Sequence, residues 1–277
     1  MSLQRPDLTT PLDPTDPATG PTGRAARAAG PRPRPAGART ATVSAALRWG
    51  AGRLSFVEDE VAGLRQVVAP GATCLDIGAE YGLYTWTLSA LVGPTGAVHS
   101  VEPLPGPARW LRTTARLLGA RNVAVHRLAL GAEPGRGTLS LPKRRGLPVH
   151  GRTYLTEGTD GPGPNAEFAS SVRVPARVAT LDQLADELRL TRTSFVKADV
   201  EGAELAVLRG GAATLRRHRP TLLLEIEDRH LRKYGARAAD VPRHLEQYGY
   251  RAHRWWRGRW VPAPRITEDC RNYLFTV

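Results

Sequence analysis

Cysteine is nearly absent from this chain, with only Cys74 and Cys270 among 277 residues. Cys74 falls in an apolar run with the pattern of a buried strand, so a disulfide framework is not expected. Free thiols are typical of a reducing compartment, which favours the cytoplasm. Long apolar runs are also missing. None approaches the roughly 18 residues that a membrane span requires, and the amino terminus lacks the apolar segment of a secretory signal. We therefore expect a cytoplasmic protein without a membrane span.

Lysine is scarce too, with three residues, although the formal net charge is +13. Nearly all the positive charge is therefore arginine, and the arginines are spread over most segments. A charge excess of this size is compatible with a nucleic-acid partner. The dispersed arginines and the abundance of Ala, Gly and Pro indicate a compositional bias instead. Charge alone does not lead us to expect nucleic-acid binding.

Aromatic residues are absent from residues 1–42, which contain eight prolines. Such a segment cannot bury enough apolar surface to offset the entropy lost on ordering. We predict a disordered Pro/Arg-rich tail over 1–42, with a basic run at 32–35 that is a candidate contact for an anionic partner. A single domain is expected over 43–277.

Strand-like and helix-like segments alternate within that domain, after a helical pattern over 43–68. The predicted strands are 73–77, 97–102, 123–130, 194–199, 221–227, 250–256 and 272–277. A helix is predicted over about 203–217, and a loop is predicted at Arg257-Gly258-Arg259 and Pro262–Pro264. This alternation predicts a parallel sheet covered by helices on both faces. Because no helical pattern separates the last two strands, the last one is expected to be antiparallel. The predicted fold is Rossmann-like α/β, with a seven-stranded, mostly parallel sheet.

The middle of the chain, residues 131–178, breaks the alternation. It is rich in Gly, Pro, Arg and Ser, with strand-like runs at 138–141 and 172–178 and a loop at 158–165. An insertion of this length in a compact domain is often a substrate-binding element. We predict that role here.

The stretch 73–84 has the pattern of a buried strand, a glycine turn and the start of a helix. Gly78 lets a ligand approach the backbone, and the amides that follow lie at a helix N-terminus. The dinucleotide motif G-x-G-x-x-G is not met, because Glu80 occupies its second glycine position and would repel a pyrophosphate. No Gly-Lys-Ser/Thr follows either, which excludes a Walker-type loop. Acidic Asp76 and Glu80 suit S-adenosylmethionine, which carries a sulfonium and no phosphate.

Acidic residues follow two further strands. Glu102 ends the second strand about 20 residues after the turn, where an acid can accept the ribose hydroxyls of a nucleotide. A solvated strand-end carboxylate is the alternative. Asp199 ends the fourth predicted strand, where ligands bind in open α/β sheets, and Glu201 adds charge beside it. Glu204 lies in the first turn of the next predicted helix, where a carboxylate interacts favourably with the helix dipole.

A family resemblance rests on motifs that run in order over roughly 70–277. They are Leu75-Asp-Ile-Gly-Ala-Glu-Tyr-Gly-Leu-Tyr-Thr85, Val101-Glu-Pro103, Leu128-Ala-Leu-Gly131, Thr180-Leu-Asp182, Val196-Lys-Ala-Asp-Val-Glu-Gly-Ala-Glu204, Leu208-Arg-Gly-Gly211, Leu223-Leu-Glu-Ile226, Tyr248-Gly-Tyr250 and Asn272-Tyr-Leu-Phe275. On these motifs the chain resembles the FkbM-type family of S-adenosylmethionine-dependent methyltransferases. The resemblance implies a class I methyltransferase fold and O-methylation of a sugar or natural-product hydroxyl. Glu80 departs from the family, which more usually has Asn there.

The expected cofactor contacts combine the turn, the strand-end acid and the family motifs. They are Asp76, Gly78, Ala79, Tyr81, Gly82, Glu102 and Leu130. Tyr81 and Tyr84 either pack on the cofactor or belong to the helix core.

Two mechanisms for activating the acceptor hydroxyl stay open. In one, Asp199, Glu227 and Asp228 hold a Mg²⁺ ion that lowers the pKa of the hydroxyl. In the other, Asp199, Glu201 or His230 removes the proton as a general base without metal.

The partner is expected to be a small-molecule or glycosylated acceptor. The alternative is an RNA-binding or RNA-methylating protein, but the run Asp199-Val-Glu-Gly202 has no aromatic face for stacking a base. Trp255, Trp256 and Trp260 are expected to pack against the sheet or at a homo-oligomer interface, with a sugar platform as the alternative.

Overall fold

The computed structural model of the chain describes residues 38–51, 53 and 58–277. In this part of the chain the α-helices are α1 (Ala38–Gly50), α2 (Leu83–Val92), α3 (Pro105–Leu118), α4 (Leu181–Glu187), α5 (Glu204–Arg209), α6 (Ala212–His218), α7 (Asp228–Leu231) and α8 (Asp240–Glu246). Short 3-10 helices cover Asp59–Gln66, Gly93–Thr95, His150–Arg152, Gly163–Glu167 and Arg232–Tyr234. The strands are β1 (Thr73–Ile77), β2 (Ala97–Val101), β3 (Val123–His126), β4 (Ala129–Leu130), β5 (Gly135–Arg144), β6 (Leu147–Pro148), β7 (Tyr154–Leu155), β8 (Ser170–Ala179), β9 (Phe195–Ala198), β10 (Thr221–Glu225), β11 (Arg251–Trp256), β12 (Arg259–Pro262) and β13 (Asn272–Thr276).

The main sheet has eight strands in the order β12-β11-β13-β10-β9-β1-β2-β3. Strands β3, β2, β1, β9 and β10 pair in parallel. From β1 the chain first fills one side of the sheet with β2 and β3, and later fills the other side with β9 and β10. The order therefore reverses between β1 and β9, and the carboxyl ends of these strands form the crevice where open α/β sheets bind ligands.

The side chains of successive residues in the central strands are buried on opposite faces of the sheet, as expected for a parallel sheet covered on both faces. Leu75 packs with helices α4 to α6 and α8, whereas the adjacent Cys74 packs with α2 and the 3-10 helix Asp59–Gln66. The predicted α/β class with helices on both faces is confirmed.

The last strand, β13, lies between β10 and β11 and is antiparallel to both, as predicted. The segment after β11 is predicted from sequence to be a loop but forms β12, so the sheet has eight strands and not seven. Arg257 and Gly258 both have positive φ, 48° and 82°, which gives a two-residue hairpin turn whose twist matches the strands. Trp255 and Trp260 pair across this hairpin.

The two paired tryptophans pack on the 3-10 helix Asp59–Gln66. The Nε1 of Trp260 donates to the carbonyl of Gly63 at 3.3 Å, and a Cβ on Gly63 would lie 2.6 Å from the Trp255 ring. The two tryptophans, which belong to the sheet, thus pack against this 3-10 helix. Trp256 is half exposed.

The insertion forms a second, five-stranded sheet in which β5 and β8 pair antiparallel over almost their whole length. The predicted strand 123–130 is in fact two strands, because β3 stays in the main sheet and β4 pairs with β8 instead. The insertion thus begins after the carboxyl end of β3 and covers the ligand crevice.

Two predicted helix boundaries are corrected. Helix α1 begins at Ala38, inside the predicted tail, and residues 1–37 lie outside the described residues. The helix that follows β9 is predicted to be continuous over 203–217 but is divided into α5 and α6 at Gly210, where a Cβ would lie 2.2 Å from the carbonyl oxygen of Gly131. No helix in the described ranges is long and apolar enough to cross a membrane.

Candidate functional site

The turn between β1 and α2 brings three strand ends together. Gly78 has a φ of 79°, and a Cβ on it would lie 1.8 Å from the carbonyl oxygen of Asp199, so the position requires glycine. The amides of Gly78 and Ala79 both donate to the carbonyl of Val101, at 3.0 and 3.1 Å. The turn therefore links the carboxyl ends of β1, β2 and β9.

Glu102 follows β2 and is 4% exposed. The backbone N–H of Glu80 donates to its Oε2 at 3.0 Å, and that of Leu104 donates to its Oε1 at 2.7 Å. Each oxygen keeps a further lone pair. Burial raises the pKa of Glu102 to about 7. The side chain is thus held in one orientation and can accept hydrogen bonds from a ligand.

A cavity of about 300 Å³ lies at the carboxyl ends of the parallel strands. The wall formed by β1, β2 and the segment after β3 includes Gly78, Glu80, Glu102, Leu104 and Leu130. The wall formed by the ends of β9, β10 and β13 includes Asp199, Glu201, Glu225, Glu227, Arg229 and Arg271. Residues 150–155 of the insertion form the third wall. Seven carboxyl groups and three arginines line the cavity, so a cationic ligand is favoured there.

Three of the predicted cofactor residues line this cavity, namely Gly78, Glu102 and Leu130. Asp76 lies beneath it at 2% exposure, where the hydroxyl of Thr85 donates to its Oδ2 at 2.5 Å. Burial raises the pKa of Asp76 to about 6. Asp76 is therefore placed to anchor helix α2 to β1 behind the turn.

The other three predicted cofactor residues shape the turn without lining the cavity. Ala79 is buried, and Gly82 leaves room for the indole of Trp86, which a Cβ would approach to 2.4 Å. Tyr81 is 45% exposed, and its hydroxyl is 2.9 Å from Nδ1 of His150. Tyr81 thus contacts the insertion, whereas Tyr84 belongs to the helix core, which is one of the two roles that the sequence leaves open for it.

Asp199 lies in an acidic cluster with Glu58 and Glu225, in which their carboxylate oxygens lie within 4.8 Å of one another. Lys197 is buried behind it, with Nζ 3.6 Å from Oδ2 of Asp199 and 5.0 Å from the ring centroid of Tyr84. Burial alone would lower the pKa of Lys197, but the surrounding carboxylates raise it. Burial, the charge of Asp199 and a hydrogen bond to it raise the pKa of Glu225 well above its usual range. The carboxyl group of Glu225 therefore favours its protonated form beside Asp199.

Glu201 lies in the turn after β9, with a φ of 55°. Its Oε2 is buried and lies 2.8 Å from Nδ1 of His230, without the alignment of a straight hydrogen bond. Arg152 of the insertion lies 3.8 Å from the same oxygen. Glu201 lines the cavity, so its other oxygen is the one available there.

His230 is 2% exposed and lies behind Glu201, away from the cavity lining. Nη1 of Arg152 donates to its Nε2 at 2.8 Å. Because arginine only donates, Nε2 must accept, so the ring proton of neutral His230 is on Nδ1 and faces Glu201. The predicted role of His230 as a base in contact with substrate is therefore corrected.

The predicted metal ligands Asp199, Glu227 and Asp228 are not brought together. Glu227 contacts Arg229 at 2.5 Å and Arg271 at 3.4 Å. Burial acts to raise the pKa of Glu227, but these two arginines lower it. Asp228 begins helix α7, accepts from the amide of Ala238 at 2.8 Å and pairs with Arg232 in the 3-10 helix that follows.

The one group of three acidic ligands in the described part of the chain is instead Glu58, Asp199 and Glu225. Lys197 already supplies a cation to this group, with Nζ 3.6 Å from Asp199, and the pKa of Glu225 lies well above its usual range. The donor set therefore does not fit a Mg²⁺ ion.

The sequence did not point to Glu58, Glu225 or Arg152 as residues of the site. Glu225 was detectable, since it is the last residue of an apolar strand beside Asp199. Glu58 and Arg152 come from segments whose position over the sheet has no local signal.

The strand order, the switch point between β1 and β9, the antiparallel β13 and the acid after β2 define a Rossmann-like protein of the class I methyltransferase type. Residues 76–252 match the family described as "Methyltransferase FkbM domain". The chain belongs to this family, as the sequence resemblance indicated.

Individual relatives are more distant. "Methyltransferase 1" of Beauveria bassiana is 27% identical over 142 residues, which cover 49% of this chain and 57% of that protein. A methyltransferase FkbM structure from Methylobacillus flagellatus is 17% identical, with a TM-score of 0.47, covering 86% of this chain and 59% of that one. Aeropyrum pernix fibrillarin, solved with bound S-adenosylmethionine, is 15% identical, with a TM-score of 0.43, covering 86% of this chain and 74% of that one. The chain thus spans less than two thirds of the first two proteins.

Proposed function

We propose that this protein is an S-adenosylmethionine-dependent O-methyltransferase that acts on a hydroxyl of a sugar or natural product. The observation that carries the proposal is the acidic cavity at the switch point, with Glu102 held by two backbone amides on one wall and Glu201 on the other. Family membership supports the methyltransferase class. The mixed polar and apolar lining, with Leu130 and Leu155 among the acids, suits a nucleoside and a polar acceptor together.

The cofactor fits the wall formed by β1 and β2. The free lone pairs of Glu102 can accept the ribose hydroxyls, and Leu104 and Leu130 offer apolar surface for the adenine. Gly78 leaves the backbone accessible beside them. When bound, S-adenosylmethionine supplies an electrophilic methyl group, whose transfer to oxygen leaves the C–S electron pair on sulfur and releases the hydroxyl proton.

Glu201 is the best placed base for that proton. One of its oxygens faces the cavity, while His230 and Arg152 hold the other, so the carboxylate is oriented before substrate binds. Asp199 lies beside the buried Glu225 and is paired with Lys197. Its charge is therefore suited to stabilising the cation beside it more than to taking a further proton.

Calorimetric titration of the full chain with S-adenosylmethionine tests the cofactor assignment. Binding is expected, and Glu102→Gln should weaken it roughly tenfold or more, because a charge-assisted hydrogen bond contributes about 1.5–3 kcal/mol. Glu246→Gln, on the exposed side of α8, is the matched control and should bind as the wild type does. A wild-type protein that does not bind S-adenosylmethionine would overturn the proposal.

Methyl transfer to a panel of hydroxyl acceptors, followed with methyl-labelled cofactor, tests the roles on the opposite wall. Glu201→Gln should abolish most turnover and leave the cofactor dissociation constant within about twofold, because general base catalysis contributes roughly 10²–10⁴-fold. Asp199→Asn should instead weaken cofactor binding. If Asp199→Asn abolished turnover while Glu201→Gln weakened cofactor binding, the assignment of Glu201 as the base would be refuted.

A further inference from the structure

Unpartnered buried polar atoms are concentrated at one interface of the molecule. Eight such side-chain atoms occur among the described residues. Six of them lie where residues 152–165 of the insertion meet the turn after β9 and the segment 230–233, and these are Thr153 Oγ1, Asn165 Oδ1, Glu201 Oε2, Glu204 Oε2, His230 Nδ1 and Lys233 Nζ. Buried polar groups nearly always have a partner, which is ordered water where no protein atom serves.

Direct contacts hold these segments against each other. The side chain of Asn165 donates to the carbonyl of Arg152 at 2.6 Å, and Arg152 donates to His230 at 2.8 Å. The Nζ of Lys233 lies 4.2 Å from the ring centroid of Tyr154. The charges of Glu201 and Glu204 both act on the ammonium of Lys233, so these three unpartnered side chains lie close to one another.

Two of these side chains, Lys233 and Glu204, keep unused hydrogen-bonding capacity although they are buried. Lys233 is 3% exposed, and its three ammonium donors meet only the face of Tyr154. Glu204 is 1% exposed. Its Oε1 accepts from the amides of Val200 and Gly202, at 3.1 and 3.2 Å, while its Oε2 has no partner. A buried charge in this condition is strongly unfavourable unless water or a counter-charge solvates it.

We propose that ordered water binds between Glu201, Glu204 and Lys233, and that this water carries the proton released by methyl transfer from Glu201 to Glu204. The inference rests on the proposed function, since Glu201 is its proton source. Only O–H bonds are exchanged: the proton leaves the Glu201 carboxyl, passes through water and binds the Glu204 carboxylate. It returns to the solvent through Glu201 once the products leave and bulk water enters the cavity.

The titration behaviour of the two buried groups agrees with this geometry. Burial raises the pKa of Glu204 to about 7, so the group can take up and release a proton near neutral pH. Burial lowers the pKa of Lys233 to about 8, against the opposing charges of Glu201 and Glu204. The titratable and charged groups that act on these side chains from the packed elements are Arg152, Tyr154, Glu157, Asp199, Glu201, Glu204, Arg229, His230, Lys233 and Tyr234.

A crystal structure of the full chain at a resolution that shows individual waters tests the site itself. At least one ordered water is expected within hydrogen-bond distance of both Glu204 Oε2 and Lys233 Nζ. A dry site, or direct contact between these two side chains, would overturn the proposal whether or not the protein proves to be a methyltransferase.

Calorimetry in two buffers of different ionisation enthalpy tests the proton role, because it counts the protons released when cationic S-adenosylmethionine binds near pH 7. The cation should drive protons out of the carboxyl cluster. Glu204→Gln keeps the Oε1 acceptor and should release measurably fewer protons, with its dissociation constant within about threefold of wild type. Glu246→Gln should release the wild-type number. Equal proton release by wild type and Glu204→Gln would refute the relay, whereas a total lack of binding would refute the proposed function instead.

Discussion

Replacing Gly78 by alanine tests whether the close backbone contact in the first turn sets the geometry of the cavity. The residue has a φ of 79°, and the new Cβ would lie 1.8 Å from the carbonyl oxygen of Asp199. The left-handed backbone alone costs an L-residue about 1–2 kcal/mol. To restore an ordinary contact near 3.5 Å, β1 and β9 must part by about 1.5 Å at this point.

The expected destabilisation for Gly78→Ala is therefore about 3–5 kcal/mol, in the range of the most disruptive single substitutions. The displacement acts on Asp199, whose amide donates to the carbonyl of Ile77 at 3.0 Å, and on the turn that positions Glu80. Cofactor affinity should fall with stability. Urea unfolding with linear extrapolation measures the stability, and titration with S-adenosylmethionine measures the cofactor affinity.

Gly119→Ala is the matched control for this substitution. Gly119 ends helix α3 with a similar φ of 67°, but no atom lies within 4 Å of the Cβ that alanine would place there. The free energy of unfolding of Gly119→Ala should fall only by the cost of the left-handed backbone, about 1–2 kcal/mol. Its affinity for the cofactor should be unchanged. If both variants lose the same stability and bind equally well, the contact with Asp199 does not shape the site and the reasoning fails.

Two further predictions concern the charges of the cavity. Lys197→Met removes the cation beside Glu58, Asp199 and Glu225, and should destabilise the fold by about 2 kcal/mol, below the 3–5 kcal/mol of a fully buried pair because Asp199 is partly exposed. Because Lys197 opposes the raised pKa of Glu225, its removal should raise that pKa further, so the stability lost should be larger at pH 8 than at pH 6. Urea unfolding measures both values, and equal losses at the two pH values would contradict this. Because burial raises the pKa of Glu102 from 4.5 to about 7, its anion forms only as the pH rises through that value. Affinity for S-adenosylmethionine should therefore increase between pH 6 and pH 8 by up to about tenfold per pH unit. Calorimetry of Glu102→Gln should show a weaker dependence of affinity on pH. An identical pH dependence in wild type and variant would exclude Glu102 as the titrating group.

The parts of the site that the sequence predicts are those set by local backbone chemistry. Strand Thr73–Ile77 has the predicted bounds, because an apolar run followed by a glycine turn specifies both its ends. Glu102 was predicted to face the ligand because it directly follows a strand at the edge where parallel strands end, and it lines the cavity. The antiparallel β13 followed from the lack of a helical pattern before it.

The parts that could not be predicted depend on contacts between distant segments. Arg152 reaches His230 only because the insertion folds as a second sheet over the first, and no periodicity of its Gly- and Pro-rich sequence indicates that placement. The hairpin β11–β12 is missed from sequence because Arg-Gly is a less usual residue pair than Asn-Gly for a turn in which both residues have positive φ. Tertiary packing, not local preference, decides both cases.

The error in the predicted metal ligands shows how a small shift in a strand end changes the chemistry assigned to it. Strand β10 was expected to run to Glu227 but ends at Glu225. Side chains alternate between the faces of a strand, and only the residue at its carboxyl end stands beside the end of its parallel neighbour. Glu225 therefore meets Asp199, and both carboxyl groups lie near the ammonium of Lys197. Glu227 and Asp228 have already left the sheet, where arginines neutralise them, so the carboxylates that remain free for a cation and a hydroxyl are those of the turn after β9 and of Glu102.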